Sequence, residues 1–165
     1  MNAIRIEQPS WIQAAPGVVS NAAAAAAIAL LDLAVCTAYW SVHGVDWVQV
    51  SRGPAAWVVG NEATHAMGSW ASLLGVAVLY CLAAAELAAY RWLALRIPRL
   101  FRQPMRWGML YGACVFAVLE RIVLPLSAAP DAGAEGAWFA ALLLIYVLAI
   151  GPACALFARR CRSIQ

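Results

Sequence analysis

The chain has 165 residues, 65% of them hydrophobic and only 12% charged, with a clearly positive mean hydropathy. Those values lie outside the range of soluble domains; the length leaves room for about four membrane spans of about 20 residues and no separate soluble domain. The net charge is +3, every basic residue is arginine, and no long basic run, zinc-finger spacing or RNA-binding signature accompanies them, which sets nucleic-acid binding aside.

Residues 1–19 mix Arg5, Glu7, Pro9, Trp11 and Pro16 in no regular period. This reads as a short amphiphilic leader against the membrane surface and not as a cleaved signal peptide. The first span, residues 21–40, is apolar apart from Asp32, and Ser20 or Asn21 is placed to cap its helix. Residues 42–68 hold His43, Asp46, Arg52, Glu62 and His65 and are too polar to cross. Trp47, Val48, Val50, Trp57, Val58 and Val59 nevertheless make this connection amphipathic, with Gly53-Pro54 as a break, so one or two short helices are expected in the headgroup layer. The second span, residues 69–90, ends in AAAELAAY, where small residues surround Glu86. Residues 91–106 then set Arg91, Arg96, Arg99, Arg102 and Arg106 among leucine, isoleucine and phenylalanine, forming a basic interfacial connection.

The third span, residues 107–127, is the stretch the others are expected to pack around. Gly108 and Gly112 give it a G-x-x-x-G spacing for close helix approach, and Glu120-Arg121 puts two ionisable groups inside it. Pro125 and the turn SAAPDAGAEG end it. In the fourth span, residues 138–157, Gly151-Pro152 predicts a kink; Arg159, Arg160 and Arg162 follow. The cysteines fall singly, without a C-x-x-C, and read as structural thiols. The expected fold is an all-α integral membrane protein: one domain, a four-transmembrane-helix bundle with short interfacial helices. Arginines concentrate after span two and at the C-terminus, so both termini are expected to be cytoplasmic. The absence of lysine and the alanine-rich composition point to a bacterial inner membrane.

A charge near the bilayer centre costs about 2.5–3.5 kcal/mol, so each intramembrane charge needs a partner or a task. At about 1.5 Å of rise per residue, Asp32 lies roughly 13 Å below the outer end of its span and Arg121 roughly 9 Å below the end of span three. This predicts an Asp32–Arg121 contact as the polar centre of the bundle. Such a pair either fixes helix register or forms a protonatable site or ion path. Glu120 lies at similar depth but about 100° away around the helix. Glu86, near the inner end of span two, is expected to meet Tyr90, Arg91 or Arg106. His43 and His65 flank the outer connection; a bis-His haem would need both imidazoles turned inward, and a metal would need Asp46 or Glu62 as well. No cofactor is predicted. No phosphate loop, H-E-x-x-H or G-x-S-x-G is present, so no catalytic constellation is expected.

Asp32, the amphipathic connection after Gly44, the run Gly68-Ser69-Trp70-Ala71 and the stretch YGACVFAVLERIVLPLSA together resemble an uncharacterised family of small bacterial four-span membrane proteins. The family's V-x-P-L-S-A motif ending the third span is matched by Val123, Pro125, Leu126, Ser127 and Ala128, after Gly112. The resemblance covers most of the chain and implies fold and topology but no activity. Glu120 and Arg121 stand where the family usually has asparagine and an aromatic, and Leu79 and Tyr80 near where many members have histidine.

The minimal soluble mass and the surplus charge on span three lead to the expectation of a non-catalytic accessory or assembly subunit. Its apolar faces and glycine-spaced helix would pack, within the bilayer, against partner subunits of a larger inner-membrane complex or against further copies. One alternative is a small proton-coupled transporter or channel with Asp32, Glu120 and Arg121 lining the pathway. Its mark would be acidic groups facing a hydrated cavity. The other is an electron-transfer subunit holding haem or quinone near His43 and His65.

Overall fold

The computed structural model describes residues 15–129 and 136–162, and the side chains of 21–129 and 136–160. The expected surface leader before residue 15 and the centre of the turn after span three lie outside those residues. The described elements are helices. They are α1 (Ala15–Ser41), α2 (Trp47–Val59), α3 (Asn61–Ala66), α4 (Ser69–Arg96), α5 (Arg99–Arg102), α6 (Pro104–Val118), α7 (Gly136–Ile145) and α8 (Gly151–Arg162). A π turn, Leu119–Val123, extends α6, and a second, Tyr146–Ile150, joins α7 to α8.

Among the described residues, three stretches are long and apolar enough to cross a membrane: Asn21–Ser41, Ser69–Arg96 and Gly136–Arg160. The α6 helix with its π turn is of comparable length but carries Arg106, Glu120 and Arg121, and stands outside that set. Large apolar side chains such as Leu30, Trp70, Leu95, Leu126 and Leu148 face outward, as a lipid solvent allows.

Two expected helix boundaries move. The first helix is already formed at Ala15, so neither Ser20 nor Asn21 caps it. Pro16 is tolerated there because first-turn amides have no intrahelical acceptor. The Asn21 side-chain oxygen instead accepts a hydrogen bond from the Arg91 guanidinium, tying the N-terminal part of α1 to the C-terminal part of α4. The break expected at Gly53-Pro54 is also absent. The α2 helix starts at Asp46, whose carboxylate accepts from the Gln49 N–H at 2.9 Å, and runs through the proline to Gly60, where φ is +84°. Burial of Ser51, Pro54, Ala55 and Ala56 offsets the cost of an interior proline.

That burial is against α4. A Cβ on Gly75 would overlap the Ser51 carbonyl, the Ser72 hydroxyl donates to the Val48 carbonyl at 3.4 Å, and Ala71 is fully covered. The Ala128 N–H donates to the Trp57 carbonyl at 2.9 Å, fastening the far end of α2 to the chain after the first π turn. The amphipathic connection is therefore a packed member of the bundle.

On the other side, α6 and α8 meet backbone to backbone. A Cβ on Gly108 would lie 2.9 Å from the Gly151 carbonyl oxygen, one on Gly112 would overlap the Tyr146 carbonyl, and one on Gly151 would overlap the Gly108 carbonyl. Ile28, Leu87, Tyr90, Phe116, Tyr146 and Cys154 fill the core between the four long helices.

Each π turn closes one residue ahead of a proline. The Leu124 N–H bonds the Leu119 carbonyl at 2.8 Å before Pro125, and the Gly151 N–H bonds the Tyr146 carbonyl before Pro152. A proline has no amide to donate, and its ring crowds the carbonyl four residues back; the preceding turn widens to accommodate it. At Gly151-Pro152, where a kink is expected, the chain carries a widened turn, Tyr146–Ile150, just before the proline.

Candidate functional site

The two π turns face a half-open cavity of about 340 Å³ between α1, α2, α4, the α6 extension and α7. Asp32 and Cys36 come from successive turns of α1, and the Cys36 thiol donates to the Asp32 carboxylate at 3.4 Å. Glu120 enters from the first π turn and Tyr146 from the second. Trp40, Trp57 and Trp138 supply aromatic wall; Trp40 and Trp138 pack with ring centroids 5.2 Å apart. Among the described residues no arginine or histidine lines the space. With a rise of about 1.5 Å per residue, Asp32 sits about 13 Å along α1 from Ser41, so the cavity penetrates well into the bundle.

The Asp32–Arg121 contact predicted from depth is not formed. Arg121 is exposed and lies outside the cavity. Depth was matched but azimuth was not: neighbouring residues on a helix diverge by about 100°, and the widened turn gives the inward position to Glu120. Asp32 and Glu120 are the pair that share the space.

Glu86 also departs from expectation. It is 6% exposed, Arg91 is engaged with Asn21, and Oε1 has no hydrogen-bond partner among the described residues. The Tyr111 hydroxyl donates at 2.7 Å to the Glu86 backbone carbonyl and not to its carboxyl group. Asp32 and Glu86 are close enough to interact electrostatically, and Tyr146 feels both. Tyr146 is therefore a cavity wall within electrostatic reach of a second, deeper carboxyl.

His43 and His65 are both exposed. The His43 ring packs against Tyr39 at 5.1 Å and Trp40 at 5.7 Å, with Nδ1 3.2 Å from the Tyr39 carbonyl oxygen. Neither imidazole is turned inward, as a bis-His haem requires. Among the described residues no cluster of three or more metal-ligating side chains occurs.

Cys36, Tyr146 and the three tryptophans were not singled out as one site by the sequence. Two signals bear on them: Cys36 lies one turn from Asp32, and Pro125 and Pro152 each mark a widened turn upstream. Compared with family models, curated proteins and solved structures, the chain matches none.

What the site can do follows from its chemistry. It is a mostly apolar, preformed pocket with a small number of polar groups, in the volume range of ligand sites. Carboxyls at membrane depth are costly unless they serve ions or protons. Widened turns of this kind recur at functional positions.

Proposed function

We propose that this chain is a small proton-coupled transporter: a four-span bundle of the bacterial inner membrane that holds its solute in the cavity and carries protons on Asp32 and Glu120. The observation that carries this reading is the half-open cavity with both Asp32 and Glu120 on its wall. Glu86, buried and unpartnered at Oε1, extends the protonatable set inward past Tyr146. In this reading α6 with its π turn is the remaining span. Arg91, Arg96, Arg99, Arg102 and Arg106, together with Arg159 and Arg160, mark the cytoplasmic side, with both termini there and the cavity in the outer half.

Thiol accessibility tests it. With Cys36 kept as the sole cysteine on an Asp32→Asn background, a membrane-impermeant cationic methanethiosulfonate added from outside is expected to modify it. A chain retaining only Cys81 or Cys114, both on outward faces of the spans, should react at least tenfold more slowly. Equal rates would mean a dry cavity and would end the transporter reading.

One observation favours a second reading, an accessory subunit or self-associating chain: Arg121 is exposed, on the π turn that extends α6. A charge there is stabilised by a partner helix or by reaching the interface. Arg121→Leu is expected to change the stability of the purified single chain by less than about 0.5 kcal/mol, since it removes no internal contact. Loss of a co-purifying subunit or of the oligomer in the same variant would support the association reading. A large loss of stability would show instead that Arg121 holds the bundle.

A further inference from the structure

We infer that the cavity binds a small organic cation with an apolar, preferably aromatic, body; this rests on the reading of the cavity as a solute site. Four features of the wall select that class. Among the described residues, the Asp32 carboxylate accepts from one thiol, a weak donor that leaves most of its acceptor capacity open. Trp40, Trp57, Trp138 and Tyr146 present ring surface, and aromatic faces attract cations. No basic side chain of the described residues lines the space to compete for the carboxylate or to receive an anion. The remaining wall is aliphatic, including Val50, Leu79 and Leu142, which suits a hydrocarbon body.

The same features exclude other solutes. A sugar needs many converging hydrogen-bond groups, and beyond the acids the wall offers mainly Gln49 and Asn61. A bare divalent cation needs six or more oxygen ligands, or a ligand cluster that the described residues do not form. An anion would face Asp32 with no counter-charge. The volume of about 340 Å³ lies at the small end for ligand pockets and points to a single-ring amine or quaternary ammonium.

Binding of radiolabelled phenyltrimethylammonium to the full chain in zwitterionic-lipid nanodiscs tests this. Tert-butylbenzene, its uncharged isostere, and benzenesulfonate serve as competitors, and labelled tert-butylbenzene as a second ligand. One saturable cation site is expected. The neutral isostere should compete at least tenfold more weakly, and the sulfonate not at all. Asp32→Asn should weaken cation binding at least tenfold while leaving neutral binding within twofold; Asp32→Glu should restore the cation site. If the neutral isostere competes as well as the cation, the inference of a cation site is wrong while the solute cavity stands. If neither labelled ligand shows a saturable site, the cavity reading itself fails. The isostere comparison uses the unaltered chain, so it decides the matter even where Asp32→Asn does not fold.

Discussion

Gly112→Leu is expected to abolish the folded bundle, and even Gly112→Ala should cost roughly 1–3 kcal/mol, the usual range for overpacking. The reason is the identity of the obstacle. A Cβ at Gly112 would overlap the Tyr146 carbonyl, a backbone atom that cannot rotate aside as a side chain can. That carbonyl also accepts the Gly151 N–H bond that closes the second π turn. Displacing it therefore loosens the α6–α8 crossing, where Gly108 and Gly151 also meet, and moves a wall of the cavity. Reversible unfolding in mixed micelles reads the effect. Gly53→Ala is the control: nothing lies within 4 Å of a Cβ there, and its helical position predicts a gain of roughly 0.5–1 kcal/mol. A Gly112→Ala chain as stable as the unaltered one would show that the close crossing is not what holds these helices.

Gly75→Val has an equally local cause and a different outcome. Its Cβ would overlap the Ser51 carbonyl, so α2 must lift from α4 while the long helices keep their contacts. Because Val50 and Trp57 of α2 form part of the cavity wall, lifting α2 uncovers the space. Helix content should be nearly unchanged, and modification of Cys36 by an impermeant thiol reagent should rise about tenfold or more, since access of the reagent controls the rate. An unchanged rate in a folded Gly75→Val chain would mean that α2 does not cover the cavity.

The apolar runs at 21–40, 69–90 and 138–157 lie within helices long enough to span because a run of about 20 apolar residues can satisfy its backbone in lipid in few other ways. The stretch 107–127 reads outright as a span, but the charges of α6 and its π turn keep it outside the set of helices apolar enough to cross. Asp32 and Glu120 were legible as isolated acids within apolar stretches from their surroundings alone. Their pairing was not. The prediction matched Asp32 to Arg121 by depth and assumed a regular helix, whereas a widened turn ahead of Pro125 turns Glu120 inward. The role of α2 was hidden for a different reason. Gly53-Pro54 resembles a break, and only the non-local meeting of Ser51 with Gly75 shows why the helix persists. Glu86 looked like a carboxylate with arginine in reach, but Asn21, distant in sequence, takes that arginine.

The glycine contacts divide the molecule mechanically. Where Gly108, Gly112 and Gly151 bring two backbones into contact, no side chains lie between them to change rotamer and absorb a shift. Helices joined in that way move as one rigid piece, because their packing has no continuous range of adjustment. Gly75 joins α2 to α4 in the same way, through the Ser51 carbonyl, and the far end of α2 is further fastened by the Ala128–Trp57 hydrogen bond. The two glycine crossings therefore make two stiff pairs, α2 with α4 and α6 with α8, and any relative motion falls on the side-chain contacts between the pairs.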